Sequence, residues 1–256
     1  MKITWLGTAS LIVKTEGHKI LFDPYLRSLN KNLPPFPLNE IGDVEAIFIT
    51  HPHLDHFADI PVILEHTDCP VYVNARGIEI AKNNKFDLSR LNAIDFGDEF
   101  SFGGLSVKAY KGRHVQYDIK TLNGAVKRAV KGHAISGLKI AKENKRFTID
   151  FDEVFSFFVR EGDKTLMIMG SANIDESIEY PEVDMLVYPY QGRSDMLEYS
   201  LNLVKSLSPE RVVADHFDDA FPPVSTRMNV EEFKDKLESE SDIKVIIPKE
   251  YEDVSV

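Results

Sequence analysis

Three observations predict an α/β fold for this chain. Short apolar runs of strand length recur from end to end, segments of helical spacing separate several of them, and Gly, Pro or Asp punctuates the junctions. With 256 residues, 43% hydrophobic and 28% charged, the chain is composed like an ordinary globular protein. Compact α/β folds of this length often form one unit, so a single domain over residues 1–256 is expected.

Residues 3–6, 11–14 and 19–22 read as strands, with turns at Gly7 and Gly17. Asp23-Pro24 ends the third strand, and the Pro-rich piece 33–38 is a loop. Residues 46–50 (AIFIT) are a continuous apolar run, as expected of a strand buried on both faces, and they deliver the chain into HPHLDHF. A helix is expected over 57–65, a strand over 71–74, a helix over 78–83, and strands over 100–102 and 105–110. Later strands are expected over 154–160, 165–169, 185–188, 212–214 and 244–247, with helices over 195–206 and 230–239.

The formal charge of −11 disfavours nucleic acid and anionic surfaces if it is spread evenly, and it is not. Residues 111–147 hold ten Lys or Arg against Asp118 and Glu143, a net +8 that leaves −19 elsewhere. Within this stretch Ala125, Ala129, Ile135, Leu138 and Ala141 have helical spacing, broken by Gly132 and Gly137. It reads as a basic insertion of short helices over residues 115–150. No apolar run approaches the roughly 20 residues that span a bilayer, and the start lacks a secretory pattern. No membrane insertion, no nucleic-acid partner and a cytoplasmic location are therefore expected. The single Cys69 cannot form an internal disulfide, which suits a reducing compartment.

The chemistry concentrates after the 46–50 strand, where His51, His53, Asp55 and His56 crowd three imidazoles and a carboxylate into six residues. Neutral imidazole and carboxylate are good ligands for zinc and similar divalent ions. Alternate residues of a loop can face one way, so His51 and His53 could hold one ion while Asp55 and His56 turn toward another. The plainer alternative is a polar loop that caps the following helix. Two further histidines follow strands, His114 in YKGRHVQYD and His216 in ADHFDDAFPP, and both are candidate ligands. His18, His66 and His133 read as ordinary surface or hydrogen-bonded residues.

Taken together, WLGTASLIV with LFDPY, then THPHLDH, then HFDDAFPP resemble the metallo-β-lactamase superfamily. Within it they are most similar to the branch of L-ascorbate-6-phosphate lactonase and N-acyl-phosphatidylethanolamine phospholipase D. The resemblance covers nearly the whole chain except the basic insertion. It implies a four-layer αββα sandwich, with a first metal on His51, His53 and His114 and a second on Asp55, His56 and His216. It also implies that Asp23 orients a metal-binding histidine. One or two divalent ions are expected, zinc first, with manganese, iron or nickel as alternatives.

Two departures matter. The family usually carries an aspartate bridging the metals after the Gly of a late strand, where LMIMGSANID places Ser171; the second site is then expected to be weaker or empty, unless Asn173 or Asp175 substitutes. Thr8 stands where the branch often has histidine, and reads as an ordinary turn residue.

The implied reaction is a hydrolysis in which a metal-bound water, oriented by Asp55 as the catalytic residue, cleaves an ester, lactone or phosphodiester. The insertion begins beside His114, so Lys127, Arg128 and Lys131 are candidate parts of a lid that draws in a small anionic substrate. The alternative is a metal-binding scaffold or ligand sensor that has lost catalysis. Self-association is compatible with the branch resembled.

Overall fold

The computed structural model describes residues 1–130, 134–150 and 152–256, with two seven-stranded sheets. Six strands of the first sheet come from the start of the chain: β1 (Lys2–Gly7), β2 (Ser10–Thr15), β3 (His18–Phe22), β4 (Ala46–Phe48), β5 (Val71–Val73) and β6 (Leu91–Ala93). The second sheet takes β7 (Glu99–Phe102), β8 (Leu105–Gly112), β9 (Val154–Glu161), β10 (Lys164–Met169), β11 (Met185–Pro189), β12 (Arg211–Asp215) and β13 (Lys244–Ile246). The last strand, β14 (Asp253–Ser255), returns to pair antiparallel with β1 and closes the first sheet's edge. Strands β3 to β6 run parallel, as do β10 to β13, so their C-terminal ends gather along one rim.

Alternation along the strands builds two cores. Ile20 and Phe22 of β3 and Ala46 and Phe48 of β4 point into the space between the sheets, while Leu21 and Ile47 point outward. Between the sheets Phe48 meets Phe22 and Phe157, with ring centroids 5.7 and 5.3 Å apart. The outward residues are covered by α1 (Leu54–Phe57), α2 (Ile60–Ile63) and α3 (Ala75–Asn83). On the other flank, α6 (Met196–Leu207) and α7 (Val230–Glu240) cover the second sheet, Phe233 stacking on Tyr188 and Tyr190. The layers are therefore helix, sheet, sheet, helix, the αββα sandwich expected from the sequence. The AIFI run is apolar throughout because both of its faces are covered.

The basic stretch forms α4 (Ile119–Val130) and α5 (Ala134–Asn144), which cross where Gly137 meets Ala129; a Cβ at Gly137 would lie 2.8 Å from the Ala129 Cβ. Lys131, Gly132 and His133 lie outside the described residues.

Three expectations are corrected. The helix expected over 57–65 is two separate turns, α1 and α2, because Asp59 leaves helical geometry and Pro61 starts a new helix at its first turn. The helix expected over 78–83 begins earlier, at Ala75, where the Asn74 side chain accepts the Gly77 N–H as an N-cap. β6 and β14 were not anticipated, since LNA and DVS carry little apolar pattern and are strands only through their neighbours.

Candidate metal centre

Each predicted ligand sits just beyond a strand end on the shared rim. His51 follows β4, His114 follows β8, and His216 follows β12; His53 is the N-cap residue of α1, which carries Asp55 and His56. The two sheets are pinched together here by the Phe155 N–H donating to the Thr50 carbonyl at 2.7 Å. Gly170 makes that approach feasible, since a Cβ there would lie 2.5 Å from both the Phe155 oxygen and the Thr50 Cβ.

The side chains fall into two triads, His51 with His53 and His114, and Asp55 with His56 and His216; within each, one ligand atom per residue lies within 4.8 Å of the others. His53 makes no capping bond to α1, so the loop is not explained as a helix cap. Hydrogen bonds set the ring tautomers. The Thr50 hydroxyl donates to Asp23 at 2.6 Å and so accepts from His51 Nδ1 at 3.0 Å. His56 Nδ1 donates to Asp23 at 2.9 Å, and His114 Nδ1 to the Val115 carbonyl at 2.8 Å. His51 and His114 then present Nε2 unprotonated. His51 Nε2 lies 3.1 Å from His53 Nδ1, close to the roughly 3.3 Å separation of two nitrogens sharing a tetrahedral zinc.

Electrostatics point the same way. Burial, reinforced by the neighbouring rings, holds His51 well below its ordinary value, His53 down to about 3 and His114 down to about 4, so these imidazoles are neutral. Burial opposes charge on His216 too, but its hydrogen bond to Asp55 (3.0 Å) and the charges of Asp55, Asp215 and Asp218 push it up to about 9. Asp55 is held below the usual carboxylate range despite its burial, by His56 and His216. The neutral nitrogens of His51, His53 and His114 are a donor set a divalent cation requires and fit one, whereas His216 must give up a proton before it and Asp55 can hold a second.

The chain spends conformational strain on this rim. Thr8, Asp23 and His216 have φ of 50°, 44° and 55°, where residues with a Cβ are disfavoured by on the order of 1–3 kcal/mol. Asp23 is fixed by the Thr50 N–H and hydroxyl at 2.7 and 2.6 Å. Thr8, fully buried, donates its N–H and hydroxyl to Asp218 at 3.0 and 3.1 Å, while its carbonyl accepts the His216 N–H at 2.8 Å. Behind Asp218 lies Arg27, 2% exposed, 3.5 Å away and forked onto Glu250 at 2.8 and 2.9 Å. Gly7, at φ 103°, leaves the space that guanidinium occupies. Thr8 is thus more than a turn residue, and Asp218 and Arg27 were missed; HFDDAFPP contains Asp218, but nothing local distinguishes it from its neighbour.

Ser171 is 6% exposed and accepts the Val115 N–H at 3.0 Å. Neither expected substitute joins the triads. Asp175 pairs with Lys111 at 2.8 Å and turns back onto Ser177, and Asn173 donates to the His114 carbonyl at 3.2 Å.

A cavity of about 760 Å³ opens above both triads, walled by α4, α5 and the loops around residues 191–194 and 221–228. Asp55 is the one carboxylate among its described lining residues, whereas Lys120, Arg128, Lys145 and Arg193 all reach it. Arg193 is neutralised by Asp195 at 2.7 Å. Arg128 donates to the Pro223 and Val224 carbonyls, and no carboxylate within 4.0 Å pairs with it, Lys120 or Lys145 among the described residues. Of the three expected lid residues only Arg128 lines the cavity: Lys127 is exposed elsewhere and Lys131 lies outside the described residues.

This fold and its two triads are those of a metallo-β-lactamase-like protein. Residues 18–217 match the beta-lactamase superfamily domain, and the chain belongs to that family. It is 32% identical over 114 residues to a UPF0173 protein of Pyrococcus furiosus, covering 44% of this chain and 50% of that protein. It is 40% identical over 73 residues to a UPF0173 metal-dependent hydrolase of Cupriavidus taiwanensis, covering 28% of this chain and 26% of that one. The chain thus spans half or less of the length of these curated relatives. Among solved structures, a metallo hydrolase of Ignicoccus hospitalis superposes with a TM-score of 0.65 at 21% identity, covering 99% of this chain and 97% of the other.

Proposed function

We propose that this protein is a metal-dependent hydrolase cleaving an ester, lactone or phosphodiester bond in a small anionic molecule. The observation that carries the reading is the placement of two His/Asp triads under a cavity whose unpaired charges, among the described residues, are all positive. Relatives named metal-dependent hydrolases support the reaction type. His51, His53 and His114 would hold one divalent ion, zinc first, and Asp55, His56 and His216 a second. Such ions supply a water of lowered pKa and polarise the scissile oxygen.

The chain's own groups do the rest. Asp55, kept ionised, accepts a hydrogen bond from His216 Nε2 at its Oδ2 and would orient the attacking water. Gln191 accepts from His216 Nδ1 at 2.9 Å and fixes that ring, while Asp23 fixes His56. Arg128, Lys120 and Lys145 bind the substrate's anionic group, and the helix pair α4–α5 shields the cavity from bulk water as a lid. This is the lactonase-like use of the fold that the sequence motifs suggest, and the lone Cys69, buried and unpaired, suits a cytoplasmic setting.

The test is a panel of esters, lactones and phosphodiesters assayed with and without added divalent metal. Metal-dependent turnover of at least one class, lost in Asp55→Ala, is expected. Ser171 favours a second reading, a metal-binding scaffold without catalysis, because the family's bridging carboxylate is missing. Tight metal binding with no turnover across the panel would establish that reading instead.

A further inference from the structure

We propose that the outer face of the helix pair α4–α5 docks on an anionic lipid surface. Five large aliphatic side chains among the described residues are more than half exposed, and all belong to this pair: Ile119 (75%), Val126 (61%), Val130 (71%) and Leu138 (71%) lie off the cavity lining, and Leu122 (51%) sits where the stripe meets the cavity. Their spacing on α4 is that of a single helix stripe. Elsewhere among the described residues the exposed large hydrophobics are scattered and at most 40% exposed, apart from Tyr117 at the entry to α4. Leaving this stripe in water is unfavourable, so a partner surface is implied.

Charge identifies the occupant. Lys127, Lys139 and Lys142 are exposed around the stripe and away from the cavity lining, and none has a carboxylate within 4.0 Å among the described residues. Apolar side chains flanked by unpaired lysines on a short helix are the pattern of segments that lie in a lipid interface. The helix pair is too short to cross a bilayer, and no described helix is long and apolar enough to do so. A second copy fits less well. A two-fold contact would set the three lysines against the same three, and the acidic remainder of another copy offers no described side chain that is both aliphatic and more than half exposed. A lipid surface supplies negative charge and apolar depth together, and the segregation of +8 from −19 along the chain turns this face toward it.

The test uses the full chain in a sedimentation assay with phosphatidylcholine vesicles, with and without phosphatidylserine. Binding confined to the anionic vesicles and weakened by salt is expected. Val126→Asp with Val130→Asp should lower the partition coefficient at least about tenfold, and so should Lys127→Glu with Lys139→Glu and Lys142→Glu. None of these side chains lines the cavity, so circular dichroism and metal content should be unchanged and any loss is not unfolding. Absence of binding at low salt, or equal binding by both variants, would overturn the proposal. A dimer seen by sedimentation velocity and dispersed by the Asp variant, without vesicle binding, would assign the face to a second copy instead.

Discussion

Replacing Ser171 by Asp introduces a carboxylate beside the candidate metal centre, and the gain can be sized. Ser171 stands beside His114 with its hydroxyl accepting the Val115 N–H at 3.0 Å, a bond that one carboxylate oxygen can take over while the other enters the cavity. A unit charge about 4 Å from a divalent ion is attracted by about 8 kcal/mol at an effective dielectric of about 20. Desolvating and ordering the new carboxylate returns most of that. A net gain of about 1.5–3 kcal/mol is left, which tightens the weaker ion about ten- to hundredfold. Elemental analysis after dialysis against a graded chelator, run on both proteins purified without added metal, reads this directly. The unmodified chain should retain one ion per chain under conditions where Ser171→Asp retains two. Two equally tight ions in the unmodified chain, or no gain in the variant, would refute the reasoning that charge at this position limits occupancy.

Two more outcomes follow from the geometry. Asp218→Ala leaves the Thr8 N–H and part of the Arg27 charge buried without their acceptor, which should cost about 3 kcal/mol and lower the melting temperature by roughly 6–12 °C; calorimetry showing a shift under 2 °C would mean roughly that the network is dispensable. Arg128→Glu reverses a charge lining the cavity and should raise KM for an anionic substrate about tenfold with kcat changed much less, whereas unchanged kinetics would remove Arg128 from substrate binding.

Much of the site was legible because its residues are adjacent in sequence or follow strong strand patterns. His51, His53, Asp55 and His56 lie in one loop after AIFIT, and the apolar run of that strand announces two covered faces. What was not legible depends on contacts between distant segments. Arg27 and Glu250 are 223 positions apart, and nothing near either marks it as buried and paired. Thr8 looks like a turn residue until Asp218 is brought against it from 210 positions away. The helix over 57–65 failed for a local reason, since its apolar spacing is sound but Pro61 starts a new turn. The basic stretch was read as helical from its alanines and from Ile135 and Leu138; that Ile119, Leu122, Val126, Val130 and Leu138 are exposed while Ile140 is buried depends on how α4 and α5 seat on the body.

The Glu250 fork on Arg27 ties the segment around residue 250 to the candidate metal centre. Glu250 holds Arg27, Arg27 faces Asp218, Asp218 fixes Thr8, and the Thr8 carbonyl holds the backbone of His216. The Tyr251 N–H donates to the Trp5 carbonyl and β14 completes the first sheet, so the same short segment also closes the edge strand beneath Thr8. Proteolytic trimming from residue 250 onward, or a bulky tag that pulls this segment off β1, would therefore loosen the backbone that seats His216 as well as the edge of the sheet.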